Sequence, residues 1–142
     1  MPRFSVLISG VALILLLGTA SAKAQALYPQ NAGERVRSTA MIEMSKGYVS
    51  GICVMYNDGE DVKASIFNEF GISAIDFVYY PKKDKVKLLN VIKMLDKWYI
   101  RKLLKSDLRK VVHCLQQGIG KYRNEKYKID YKFSQLQDDT EE

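Results

Sequence analysis

Residues 48–67, Tyr48-Val49-Ser50-Gly51-Ile52-Cys53-Val54-Met55-Tyr56-Asn57-Asp58-Gly59-Glu60-Asp61-Val62-Lys63-Ala64-Ser65-Ile66-Phe67, carry the reading on which the fold class turns. Asn57-Asp58-Gly59 between two apolar runs is a strong hairpin signal, because these residues tolerate the backbone of a tight turn. The return run alternates, with Val62, Ala64 and Ile66 opposite Lys63, Ser65 and Phe67. The outgoing run, Tyr48 to Tyr56, is apolar on both faces: Val49, Cys53 and Met55 on one, Tyr48, Ile52, Val54 and Tyr56 on the other. A strand apolar on both sides belongs in the middle of a sheet, or has a core on one face and a cavity on the other.

Working outward, Lys46-Gly47 turns the chain back to a half-buried strand in which Ala40, Ile42 and Met44 alternate with Met41, Glu43 and Ser45. On the other side Gly71 punctuates a strand from Ile72 to Tyr80, with Ile75, Phe77 and Tyr79 on one face, and Val86 and Leu88 begin a short strand after Pro81-Lys82-Lys83-Asp84. Short turns between successive strands specify an antiparallel meander. From Asn90, a suitable N-cap, the period becomes helical, with Val91, Ile92, Leu95, Trp98 and Tyr99 on one face. A second helix is expected from Ser106, with the stripe Leu108, Val111, Val112, Leu115 and Ile119 against Arg109, Lys110 and His113, ending at Gly118 and Gly120. Tyr127, Ile129, Tyr131 and Phe133 then alternate with Lys126, Lys128, Asp130 and Lys132 as a last amphipathic strand. The expected class is α+β: a curved, half-barrel-like antiparallel sheet of about six strands, covered on one face by two helices.

The chain has 142 residues. It opens with Arg3, an apolar run from Phe4 to Leu17, small residues and an Ala22-Lys23-Ala24 triplet, the pattern a signal peptidase reads. The run is too short to span a bilayer, which takes about 20 residues. The reading is therefore a signal peptide over 1–24 cleaved after Ala24, a flexible lead-in over 25–37, one domain over 38–134 and an acidic tail over 135–142. The expected location is the periplasm, as a soluble protein. Four of the 16 acids fall in Asp138-Asp139-Thr140-Glu141-Glu142, so the body in front of them is more basic than the net charge of +6 indicates. Such a surface suits an anionic membrane surface or an envelope protein partner, and an exported domain has little occasion to meet nucleic acid.

Chemistry-bearing motifs are few. Gly118-Ile119-Gly120-Lys121 lacks the spacing and the Ser or Thr of a phosphate loop, and Asn57 to Asp61 lacks calcium-loop spacing. His113 is the one histidine; it falls on the polar helix face and reads as a solvated surface residue. No set of ligands is spaced for a metal, and no cofactor or catalytic group is expected. The two cysteines, Cys53 and Cys114, allow one sheet-to-helix disulfide in an oxidising compartment. Lys93, Lys97, Arg101, Lys105 and Arg109 recur every four residues and would form a basic surface along continuous helices.

Gly51 to Met55, Ser65 to Gly71 and Ile75 to Tyr79 resemble small envelope proteins of Bacteroidetes-type bacteria and, more distantly, lipoprotein carriers and receptors of the LolA/LolB type. The resemblance implies a half-barrel lidded by helices over a cavity that holds acyl chains. Candidate cavity residues are Tyr48, Ile52, Val54, Phe77, Tyr79, Leu95, Trp98, Tyr131 and Phe133. The expectation is a non-catalytic soluble carrier or binding protein for a lipid, a lipoprotein acyl chain or another apolar ligand. The alternative is an envelope protein–protein interaction module without a small ligand.

Overall fold

The computed structural model describes residues 26–136; the expected leader over 1–24 and the acidic residues 138–142 lie outside the described residues. Strands β1 (Arg35–Met44), β2 (Gly47–Asn57), β3 (Val62–Asn68), β4 (Ser73–Tyr80) and β5 (Lys85–Val91) form an antiparallel meander. The turn at Asn57 closes on its own side chains: Asn57 Oδ1 accepts from the Gly59 N–H (2.9 Å), and Asp58 Oδ1 from the N–H groups of Glu60 and Asp61 (2.9 and 2.8 Å). Helix α1 (Trp98–Gln116) then carries the chain across the inner face of the sheet, and β6 (Lys121–Asn124) and β7 (Ile129–Gln135) close it on the far side of β1. The result is one seven-stranded sheet ordered β5-β4-β3-β2-β1-β7-β6, curled into a half-barrel with α1 on its inner face.

The curl has local causes. The register shifts between Ile66 and Phe67 and again between Asp76 and Phe77, and such bulges bend a strand and increase its twist. Beside the first bulge β2 carries Gly51, where a Cβ would overlap the Phe67 carbonyl. Glycine is what lets the β3 backbone come that close.

Period-two burial fills the inner face with Ala40 and Ile42 of β1, Cys53 and Met55 of β2, and Val62 and Ile66 of β3. From α1 the stripe Leu104, Leu108, Val111, Val112 and Leu115 packs onto them. Fully burying a side chain of this size stabilises by about 1.5–3 kcal/mol, so this layer dominates the stability of the fold.

Several expectations are corrected. Among the described residues there is one α-helix, not two. Asn90 and Val91 remain in β5, opposite Asp76 and Ile75, and the Ile92 N–H donates to the Ala74 carbonyl (2.9 Å). The ladder satisfies the backbone that a helix would otherwise have to satisfy, and only a 3₁₀ turn, Lys93–Leu95, follows. Helix α1 starts at Trp98 and passes through Ser106 without a break, so Ser106 caps nothing. The sheet has seven strands because β6, four polar residues long, also pairs. Strand β7 begins at Ile129: Lys128 turns the chain at φ +56, and Tyr127 lies exposed in the β6–β7 turn. Within the expected lead-in Leu27, Tyr28 and Pro29 are buried, with the Pro29 carbonyl accepting from Asn57 Nδ2 (2.9 Å). Ile119, expected in the core stripe, is exposed. The Cys53–Cys114 disulfide is absent, and both thiols are free. Cys53 sits deep in the sheet, where burial pushes its thiol up to about 12, whereas Cys114 lies off the buried stripe of α1.

Candidate functional site

At the Met44 end of the half-barrel the β1–β2 turn, the 3₁₀ turn, the start of α1 and the β6–β7 turn converge on an open cleft of about 870 Å³. Its floor is the edge of the core, buried Leu95 and Ile129 with half-buried Ile100 and Leu103. Its walls are Met44, Met94, Trp98, Tyr99 and Tyr127. Each wall residue arrives from a different local device. Met44 ends β1, and Met94 comes from the 3₁₀ turn and sits over Gly47, its Sδ 3.8 Å from where a Cβ would stand. Trp98 and Tyr99 open α1 and pack edge to face, ring centroids 5.7 Å apart. Trp98 is 77% exposed, which for the largest side chain in the protein means that the fold has not used it as core. The rim carries Lys46, Lys97 and Lys102, and no carboxylate lines the cleft.

A buried polar brace holds the Tyr127 wall. Asp107, on the inner face of α1, is 1% exposed. Its Oδ2 accepts from the Tyr131 hydroxyl (2.7 Å) and its Oδ1 from Asn124 Nδ2 (2.9 Å). Burial, and then the bond to Asp107, raise the Tyr131 phenol above its ordinary value, so it remains a hydrogen-bond donor. Asn124 in turn accepts the Tyr127 N–H on its Oδ1 (3.1 Å), so a helix carboxylate fixes the turn that presents Tyr127. Among the described residues no buried side-chain polar atom lacks a partner.

At the opposite end a second polar cluster ties the β4–β5 turn to α1. Asp84, at φ +51, accepts on Oδ1 from the Tyr79 hydroxyl (2.9 Å), shares that oxygen with His113 Nε2 (2.5 Å), and accepts on Oδ2 from Arg109 Nη1 (2.8 Å). The bonds from His113, Tyr79 and Arg109 hold its carboxyl down at about 2. Burial, followed by the neighbouring Asp84, pushes Tyr79 up to about 12. His113 is thus a structural partner, not the solvated residue its helix position suggested. Among the described residues no group of three or more His, Cys, Asp or Glu side chains could hold a metal.

The nine candidate cavity residues separate into three places. Leu95 and Trp98 line the cleft. Phe77, Tyr79, Tyr131 and Phe133 are buried in the core between sheet and helix, where they pack on other side chains and do not line the cleft. Ile52 and Val54 face the other side of β2, where they line a shallower groove of about 930 Å³ on the outer sheet face beside Met41 and Phe67, and Tyr48 stands 64% exposed. That groove is bordered by charges of both signs, Arg37 and Lys132 against Glu69. Of the five wall residues only Trp98 is among the nine candidates; Met44, Met94, Tyr99 and Tyr127 are not. Met94 lies off the apolar face expected of a helix from Asn90, and Tyr127, expected to face inward from a strand, stands in the turn before β7 instead.

The expected basic surface is also redistributed. The 3₁₀ turn interrupts the four-residue repeat, leaving only Arg101, Lys105 and Arg109 on α1. Arg101 is paired with Asp96 (3.1 Å) and Arg109 with Asp84 (2.8 Å), whereas Lys93 and Lys97 stand at the cleft end.

No protein-family model, no curated protein and no solved structure matches the chain. Among the described residues no helix is long and apolar enough to cross a membrane.

Proposed function

We propose that the protein is a non-catalytic carrier or binding protein, acting outside the cytoplasm, that takes a lipid, an acyl chain or another apolar ligand into the cleft at the Met44 end of the half-barrel. The observation that supports this is the composition of the cleft: Met94, Trp98, Tyr99 and Tyr127 left exposed around a concave site, over a floor of Leu95 and Ile129. Its size falls in the range of about 300–1,000 Å³ common to small-molecule sites. Each methylene buried there gains about 0.8 kcal/mol, so a short stretch of acyl chain binds without polar contacts. The half-barrel is the coarse part of the architecture that the resemblance to lipoprotein carriers implies; a single helix stands where that resemblance implies a lid of helices. In this protein, however, the ligand would lie at the barrel mouth, because Phe77, Tyr131 and Phe133 pack into the core between sheet and helix.

Native mass spectrometry of the protein purified from its own cells tests the reading. The expected result is a population heavier than the polypeptide by the mass of one lipid, removed by organic extraction and restored by adding the extract back. A single species at the polypeptide mass, with no uptake from the extract, would leave the protein–protein interaction module as the better reading.

A further inference from the structure

The exposed apolar side chains at the cleft end extend beyond the cleft itself. Phe70 and Ile72 come from the β3–β4 turn, Met94 from the 3₁₀ turn, Trp98 and Tyr99 from the start of α1, and Tyr127 from the β6–β7 turn. Strand direction puts these connections at one end: β2 leaves it at Gly47, β3 returns towards it with Asn68 opposite Gly51, and β7 leaves it with Asp130 opposite Glu43. Phe70 is 79% exposed and makes no part of the cleft lining. Solvent-facing aromatics thus stand on three separate connections, β3–β4, β5–α1 and β6–β7, and none of them is part of the buried core.

The unpaired charge at this end is mostly positive. Lys46, Lys93, Lys97, Lys102, Lys126 and Lys128 have no carboxylate partner within salt-bridge distance among the described residues. Of the carboxylates here, Asp96 is paired with Arg101 and Glu125 with Arg123, which leaves Glu43 and Glu69 against six lysines. Trp and Tyr prefer the headgroup level of a bilayer, where the ring is half desolvated and its polar atom stays wet. Lysines beside an anionic leaflet each add about 1 kcal/mol of attraction. The opposite end also carries lysines unpaired among the described residues, Lys82 and Lys83, but its β2–β3 and β4–β5 turns, built from Asn57, Asp58, Pro81 and Asp84, carry no exposed aromatic side chain.

We infer that this end is a docking surface for an anionic lipid bilayer, on which the protein stands end-on with Phe70, Trp98 and Tyr127 at headgroup depth and the lysines among the phosphates. The cleft then opens onto the membrane. The docking does not depend on what the cleft holds.

Co-sedimentation tests it, with vesicles of phosphatidylglycerol and phosphatidylcholine in equal parts against phosphatidylcholine alone. The protein is expected to sediment with the anionic vesicles only and to be released by salt, which shortens the Debye length from about 10 Å at 0.1 M to about 3 Å at 1 M. Replacing Lys126 and Lys128 by Gln should weaken binding roughly fivefold per lysine. Phe70→Ala should weaken it further. The same charge loss at the other end, Lys82→Gln with Lys83→Gln, should change nothing. Absence of binding, equal binding to neutral vesicles, or equal weakening by the Lys82 and Lys83 substitutions would overturn the inference, the last by pointing to general charge attraction. Phe70, Lys126 and Lys128 do not line the cleft. Their variants should therefore take up a soluble short-chain fatty acid as the parent does, and this separates failure of docking from failure of the binding site.

Discussion

At one end of the half-barrel the turn Asn57–Asp61 is closed by its own polar side chains, and it and the turn Pro81–Asp84 are stitched to the rest of the fold. Asn57 holds Pro29, Gln30 Nε2 donates to the Gln116 carbonyl, and Asp84 gathers Tyr79, Arg109 and His113. At the other end the turns carry Phe70, Met94, Trp98 and Tyr127 outward, with unpaired lysines between them. Both ends connect antiparallel strands with short loops, so backbone geometry does not explain the contrast. Both ends also fasten α1 to the sheet, one through Asp84 and the other through Asp107, and Asn68 closes the β3–β4 turn as Asn57 and Asp58 close theirs. What differs is what the turns leave in solvent: polar side chains at the first end, an open apolar surface at the second.

Substitutions can break that comparison. The largest effect is expected at the buried brace beneath the Tyr127 wall. Asp107→Ala leaves the buried Tyr131 hydroxyl and the half-buried Asn124 amide without their acceptor, and a fully buried group so orphaned costs about 1–3 kcal/mol. A loss of about 3 kcal/mol should be read from the urea midpoint. Trp98→Ala and Tyr127→Ala should each move the same midpoint by less than about 0.5 kcal/mol, as exposed positions do. If the Trp98 and Tyr127 variants were as destabilised as the Asp107 variant, the open end would be part of the core and the contrast would fail.

Ligand affinity should show the reverse order. Trp98→Ala combined with Tyr127→Ala removes two walls of the cleft, and losing the burial of about two methylenes' worth of ligand weakens a fatty acid about tenfold. The far-end variant Asp84→Asn should bind it as the parent does, in the same isothermal titration.

A smaller effect sharpens the polar end through pH. The Asp84 carboxyl lies near 2 in the fold, below its ordinary 3.8. Its contribution is therefore fully present above 3.8 and is lost as pH falls through about 2. The parent should lose stability across that window, and Asp84→Asn should lose less, so that the two acid-unfolding curves converge at low pH. Parallel curves would mean that the cluster does not fasten the turn. The smallest effect is chemical. A thiol reagent should modify Cys114 in the native protein and reach Cys53 only on unfolding, with two thiols titrated in all.

The meander was legible because its signals are local. Asn57-Asp58-Gly59 fixes a turn, and the alternation at Val62–Phe67 and Ile129–Phe133 fixes which side is buried. The helical stripe Leu108, Val111, Val112 and Leu115 was legible for the same reason. Val91, Ile92 and Leu95 misled because their spacing also suits a helix; the pairing of Val91 with Ile75 that overrides it joins distant parts of the chain. Strand β6 is four residues with no buried member, and nothing in its sequence distinguishes it from a loop. In the site, Leu95 and Trp98 were found through apolar periodicity, although the helix assumed for them was wrong. The two-faced apolarity of Tyr48–Tyr56 was real, but its second side is the outer groove, not a cavity wall. Asp107 did leave a signal, an acid between Leu104 and Leu108 in an otherwise apolar stripe, which is where a buried carboxylate with dedicated donors belongs.

Trp98 is the only tryptophan and stands on the cleft wall, so its emission reports directly on whether the cleft takes an apolar ligand. Titration of delipidated protein with a single-chain fatty acid, kept below its micelle concentration, is the most direct test. The account predicts a blue shift that saturates at one ligand per chain, with a parallel rise in Tm and the loss of both responses when Tyr127 and Met94 are replaced by Asp. Emission that stays at the wavelength of a solvated indole, with an unchanged Tm, would contradict it.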